Sequence, residues 1–165
     1  MSVRVKFDLA GLRKLGERVA GMRERAADLS PVLKRQATAL DGVIQGAFAG
    51  SRSPNGSAWK PLADATIKRR RRGSSKPLAD TGQLRSAIAV KGEKRSVTFG
   101  VSGAPATYGP THQFGRGAIP RRPFLPLDED GDGDFSAGDA KTWKERTFAR
   151  VAAYVVHGKL DGGGP

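Results

Sequence analysis

Hydrophobic and polar residues alternate along this chain in rhythms that change every few dozen residues. Val3, Val5 and Phe7 alternate with Arg4 and Lys6, the period of a short, half-buried strand. Asp8 is placed to cap a helix carrying Leu12, Leu15, Val19 and Met22 on one face, although Gly11, Gly16 and Gly21 weaken it. Ser30-Pro31 opens a second helix, a cap followed by proline at the first helical position. From there Leu33, Ala37, Leu40, Ile44, Ala47 and Phe48 form an apolar stripe at three- and four-residue spacing. The turn residues Gly50 to Gly56 must end it.

Trp59 follows that turn at once and reads as a lid on the core, burying its ring and donating its indole N–H. Asp64 predicts a short helix carrying Thr66, Ile67 and a basic run, and Gly73 to Pro77 a flexible break. Leu78 to Ser86 looks like a capped turn of helix. Ile88 and Val90, then Val97, Phe99 and Val101, predict an antiparallel hairpin with a polar turn longer than two residues. Ala140 to His157 is helical by pattern, with Trp143, Thr147, Val151, Tyr154 and Val155 in a stripe and Gly158 past its end. The expected fold is α+β: N-terminal helices and a C-terminal helix packed on a small, mostly antiparallel sheet, with long ordered loops. A single domain spans residues 1–158, and residues 159–165 read as a disordered tail.

The segment Thr107–Leu125 follows neither rhythm. Its nineteen residues hold three arginines, three prolines and three glycines around His112. Pro120 and Pro123 fix φ and bias Ile119 and Arg122 towards extended geometry. The local chemistry predicts an ordered loop, fixed in shape only if Tyr108, Phe114, Phe124 and Leu125 are buried against something.

Composition sharpens this picture. The 165 residues suffice for one domain with a core, but only 38% are hydrophobic, while Gly (22) and Pro (10) are plentiful, which predicts a modest core with long loops. No apolar run reaches the ~20 residues that cross a bilayer. The absence of cysteine excludes disulfides, thiolate metal sites and cysteine nucleophiles. Net charge is +13, and residues 1–80 carry 17 Lys/Arg against 7 Asp/Glu, compared with 12 against 9 in residues 81–165. The excess peaks at Lys68, Arg69, Arg70, Arg71 and Arg72. This run reads as a solvated charge patch, or as a contact to nucleic acid or an acidic partner.

Catalytic chemistry is hard to find. The two histidines, His112 and His157, lie far apart, no nucleophile stands beside a base at readable spacing, and no glycine-rich phosphate loop opens a helix. The sequence reads as non-enzymatic, with His112 donating a hydrogen bond that ties its loop to its neighbours. One metal pattern fits. Asp128 to Asp139, DEDGDGDFSAGD, offers Asp128, Asp130 and Asp132 at positions one, three and five of a twelve-residue calcium loop. Asp134 would give a carbonyl at position seven, and Asp139 stands at twelve where glutamate is usual. The same residues also read as an acidic surface loop neutralising Arg121 and Arg122. No cofactor is required on this reading; Ca²⁺ is the one candidate.

Three ordered blocks carry a resemblance. They are Ser53-Pro54-Asn55-Gly56-Ser57-Ala58-Trp59-Lys60-Pro61-Leu62 after Phe48; Pro77-Leu78-Ala79-Asp80-Thr81-Gly82-Gln83-Leu84-Arg85-Ser86-Ala87-Ile88; and Tyr108, His112-Gln113-Phe114-Gly115 and Ile119-Pro120-Arg121-Arg122-Pro123-Phe124-Leu125. Together they resemble the phage virion morphogenesis proteins, also described as tail completion or Mu-like G proteins. Here Gly109-Pro110-Thr111 follows Tyr108, where the family usually has an alanine and an aliphatic residue. The resemblance implies a structural protein at the head–tail junction of a tailed phage, completing or terminating the tail and joining it to the head. It implies a ring, a hexamer first, whose partners are copies of itself, connector and tail-tube proteins, and DNA passing through the neck. Such a protein would be found in the virion and, during assembly, in the host cytoplasm, with no membrane role. The alternative from another class is a basic DNA-binding protein using Lys68 to Arg72. Within the ring, Tyr108, His112, Gln113, Arg116, Arg121 and Arg122 are the expected interface. Trp59, Leu84, Phe114, Phe124 and Leu125 are the expected anchors to the core.

Overall fold

The computed structural model describes residues 9–70, 74–128, 130 and 137–160. The predicted strand at Val3 to Phe7 and the capping role of Asp8 lie outside them. Two long helices open the described chain: α1, Ala10–Ala27, and α2, Ser30–Gly50. Leu9 occupies the cap position of α1. At the start of α2 the expected cap moves back two residues, because the Asp28 carboxylate accepts hydrogen bonds from both the Ser30 N–H (2.9 Å) and the Ser30 hydroxyl. These bonds, the hydroxyl first, hold the Asp28 carboxyl below its usual range. Ser30 is therefore a helix residue with Pro31 behind it.

The core is built on α2. Leu40, Ile44, Ala47 and Phe48 are buried on one face, together with Trp59, Leu84, Phe124 and Leu125. Aromatic packing is continuous there: the Phe48 ring meets Trp59 edge-on at 5.6 Å and Phe124 at 5.7 Å. The short helices α3, Asp64–Arg69, and α4, Gln83–Ser86, lead to a hairpin of β1, Ile88–Gly92, and β2, Val97–Val101. The strands pair antiparallel with Val90 opposite Phe99, and Ile88, Val90, Val97, Phe99 and Val101 turn towards the core. The hairpin lies on α2 so closely that a Cβ on Gly92 would overlap the Leu33 carbonyl group. Its turn is held to the α1–α2 junction by the Leu29 N–H, which donates to the Lys94 carbonyl at 3.0 Å.

Two helices remain. The segment after β2 forms a 3-10 turn, Ala104–Thr107, and then α5, Gly109–Phe114. This corrects the expectation that the segment holds no regular element: Pro110 sits where a helix needs no N–H donor, and Gly115, at φ 79°, ends the turn. The last helix, α6, spans Ala137–His157, three residues longer at its start than the stripe predicted. Gly158, at φ 69°, follows it and donates to the Tyr154 carbonyl at 2.8 Å. Trp143 of α6 packs against the core. Near the end of α1, Arg25 Nε donates to the Val155 carbonyl at 2.8 Å, joining α1 to α6. The architecture is α+β, with helices around a two-stranded antiparallel sheet among the described residues. None of the described helices is long and apolar enough to cross a membrane.

Among the described residues, one face of α1 has no cover. Leu9 and Leu12 are each 64% exposed, and Leu15 and Val19 are each 55% exposed. Of the stripe predicted for α1, Leu12, Leu15 and Val19 face outwards, and Met22 is half-buried. Phe148 of α6 is exposed as well.

Candidate functional site

The three sequence blocks meet in space. Trp59, from the first, donates its indole N–H to the Pro123 carbonyl of the third at 2.7 Å. Arg122, also from the third, returns to the first: its Nε donates to the Lys60 carbonyl at 2.7 Å and its Nη2 to the Pro61 carbonyl at 2.9 Å. Leu84, from the second, is buried beneath Gly109, where a Cβ would touch Leu84, Val101 and Phe124.

Gln113 fixes the shape of the loop. Its side chain is 1% exposed and makes four bonds to backbone. Nε2 donates to the Leu125 carbonyl (3.0 Å) and the Leu127 carbonyl (2.9 Å), while Oε1 accepts from the Phe124 and Leu125 N–H groups at 3.0 Å each. An irregular segment that buries Phe124 and Leu125 also buries their peptide groups, which have no strand partner there. A primary amide supplies both donor and acceptor from one side chain, so it can stand in for a neighbouring strand. The outer turn closes between Arg116 and Ile119, whose N–H and carbonyl groups pair in both directions at 3.1 and 3.0 Å. At Gly115 a side chain would press on the backbone of Arg121 and Ile119.

Two residues expected at an interface are thus placed inside the subunit. Gln113 and Arg122, at 1% and 5% exposure, are struts between segments of this chain. Their polarity is used by buried carbonyls and N–H groups. Tyr108, Arg116 and Arg121 do stand at the surface. Trp59, Leu84, Phe124 and Leu125 are buried, and Phe114 is half-buried. His112 needs a further correction. Its side chain ties nothing down: Nδ1 is buried with no hydrogen-bond partner, and its ring meets Tyr108 edge-on at 6.1 Å. The tie at this position is made by backbone, the Arg122 N–H donating to the His112 carbonyl at 2.7 Å.

Beneath the loop lies a cleft of about 910 Å³. Lys60, Arg70 and Arg122 reach it from three separate segments, His112 lines it, and Asp80 is the one acidic residue in its wall. Apolar wall comes from Pro61, Leu62, Leu78, Ile119 and Pro120. Burial, and then the Arg122 charge, push the His112 pKa below its usual value, so the imidazole is neutral near pH 7. Burial, and then the Arg70 charge, lower Arg122 in turn, although a guanidinium stays protonated. No periodicity or motif in the sequence marks this cleft. The signal available was that each block carries a cation or an acid beside its anchors: Lys60 after Trp59, Asp80 before Leu84, Arg122 before Phe124.

The basic run is divided. Lys68 and Arg69 are exposed in the last turn of α3, whereas Arg70 folds back so that its Nη1 donates to the Ser74 carbonyl at 3.1 Å and to the Lys76 carbonyl. Arg71 and Arg72 lie outside the described residues. Most of the calcium pattern lies outside them too, including Asp132 and Asp134. Within it, the Asp130 N–H donates to Asp128 Oδ1 at 3.1 Å, and Asp139 falls in the first turn of α6.

A sequence profile of the phage virion morphogenesis family matches residues 11–146. The chain belongs to that family. Neither a curated protein nor a solved structure matches. In this phage virion morphogenesis protein the matched region runs from the exposed face of α1 to the middle of α6. It takes in the loop, its two struts and every residue of the cleft wall. The family is one of phage structural proteins, which associates the chain with the virion.

Proposed function

We propose that this protein is a non-enzymatic component of the head–tail junction, assembling into a ring that completes the tail and joins it to the head. The observation that carries the reading is the outward face of α1. Leu9, Leu12, Leu15 and Val19 together leave about 400 Å² of apolar surface on one stripe, a size at which exposed patches are often functional. That is about half of the ~800 Å² each partner gives to a standard interface, with the polar rim still to be counted. The spacing of Leu12, Leu15, Val19 and Met22 is that of a helix-pairing seam. The occupant is a second copy of this chain, which presents a different, complementary face to the stripe, the head-to-tail contact that closes into a ring.

Exposed loop residues supply the polar part. Arg116 and Arg121 stand on a turn braced from within, and arginine at such positions pairs bidentately with carboxylates of a neighbour. Connector and tail-tube proteins are the neighbours along the axis. A second reading, DNA contact in the neck, is favoured by Lys68 and Arg69, both exposed at the end of α3. It predicts binding that falls steeply with salt. Gold-labelled antibody on intact particles tests the main reading: label at the neck supports it, and label over the capsid shell or the distal tail overturns it.

A further inference from the structure

We infer that the cleft beneath the loop is a receptor for an extended, acidic peptide segment of a partner protein, with one carboxylate of that segment seated between Arg70 and Arg122. The inference rests on the reading of the chain as an assembly component and names the chemistry of what docks at this site.

The cleft is built for such a guest. Its volume, about 910 Å³, is at the upper end of the range, roughly 300–1,000 Å³, in which proteins enclose small ligands. Three cations from separate segments converge there against a single acid. Among the described residues, neither Arg70 nor Arg122 has a carboxylate within 4 Å, and pairs such as Arg13 with Glu17 and Lys141 with Glu145 lie on helix surfaces elsewhere. Arg70 and Arg122 therefore line one cleft without an ion-pair partner there among the described residues. Both guanidiniums are anchored by backbone carbonyls, which fixes their position and leaves their charge uncompensated. Desolvated like charges held together are costly, and an incoming carboxylate removes that cost while gaining charge-assisted bonds.

The remaining features select a peptide over other anions. Leu62, Leu78, Ile119 and Pro120 offer apolar wall on which side chains can rest. His112 lines the same wall as a neutral ring, so it adds no further charge to the site. A DNA duplex is too wide to enter, and Arg122 is too enclosed to meet a phosphate on a duplex surface. Lys68 and Arg69, out in solvent, are the residues suited to that task.

The test uses the full chain in solution and so stands apart from any result on particles. A fluorescein-labelled hexapeptide of alternating leucine and glutamate is titrated by anisotropy, beside its leucine–glutamine counterpart and a labelled short DNA duplex. The glutamate peptide is expected to bind, and the glutamine peptide to bind about tenfold more weakly or worse, the loss of charge-assisted bonds. The double variant Lys60→Gln with Arg70→Gln should lose the glutamate peptide to a similar extent while keeping its circular dichroism and melting temperature; Arg116→Gln, outside the cleft, should keep binding. Bound glutamate peptide should also raise the titration midpoint of the His112 ring followed by NMR, because its carboxylate offsets the Arg122 charge. Equal binding of the two peptides, binding retained by the folded double variant, an unmoved His112 titration, or no binding at all overturns the proposal. So does binding of the duplex that the same double variant abolishes, which would make the cleft a phosphate site.

Discussion

Gln113 and Leu125 exchange two hydrogen bonds, the amide Nε2 donating to the Leu125 carbonyl and Oε1 accepting from the Leu125 N–H, both at 3.0 Å. A side chain thus does for this loop what a neighbouring strand does for a sheet. Replacing Gln113 by leucine keeps its bulk and leaves two buried N–H groups and two carbonyls without this partner. Each such group costs about 1–3 kcal/mol, so Gln113→Leu should lose at least ~3 kcal/mol in urea unfolding. Gln113→Glu should be nearly as damaging, since a carboxylate cannot donate to the Leu125 and Leu127 carbonyls. A loss below 1 kcal/mol would show that the loop is fixed by its apolar anchors alone.

Gly92 and Gly100 make a matched pair in the hairpin. A methyl group at Gly92 would run into the Leu33 backbone of α2, whereas the space beside Gly100 is open. Gly92→Ala should force the hairpin off α2 and cost about 1–3 kcal/mol or more, as overpacking does. Gly100→Ala should stay within about 0.5 kcal/mol. Thermal unfolding followed by Trp59 and Trp143 fluorescence distinguishes them, and equal effects would mean the hairpin does not sit against α2 as described.

The α1 face makes a prediction in which folding and assembly part company. Leu15 is 55% exposed, so Leu15→Lys should change monomer stability by no more than about 0.5 kcal/mol. In sedimentation velocity the variant should remain monomeric at concentrations where the natural chain associates. If it unfolds instead, the stripe is part of the subunit's own core.

A pH dependence follows from His112. Its folded pKa lies below the ordinary value near 6.5, so the folded state favours the neutral ring. The unfolded chain then binds more protons in this window. The contribution is complete above about pH 6.5 and fades as pH falls through the depressed folded value. His112→Gln should flatten the stability profile there. Asp28, whose pKa is also lowered, makes its contribution above its ordinary value near 3.8 and loses it as pH falls through its own depressed value. An unchanged profile in His112→Gln would contradict the burial and charge assigned to this ring.

Periodicity revealed the two long N-terminal helices, the hairpin and α6, because Leu40, Ile44 and Phe48, or Val97, Phe99 and Val101, repeat at the spacing of one buried face. The same rule could not show that Leu12, Leu15 and Val19 of the α1 stripe are uncovered by the described residues, since an apolar face looks alike whether its partner lies in this chain or another. Helix α5 is not legible in the sequence because six residues opening with Gly109-Pro110 carry turn chemistry rather than a period. The burial of Gln113 and Arg122 is hidden for a related reason. Polar residues in a loop read as surface, yet a loop that buries Phe124 and Leu125 needs polar side chains inside it to satisfy its peptide groups. The sequence offered that clue in the pairing of apolar anchors with glutamine and arginine inside one non-periodic stretch. The approach of Gly92 to Leu33 left no trace at all, as it depends on how the hairpin crosses α2.

The central claim, a structural role where head meets tail, is tested most directly by electron microscopy of particles assembled without this protein. Filled heads and separate, unjoined tails are expected, with joining restored when the protein is supplied. Intact, joined virions in its absence would contradict it.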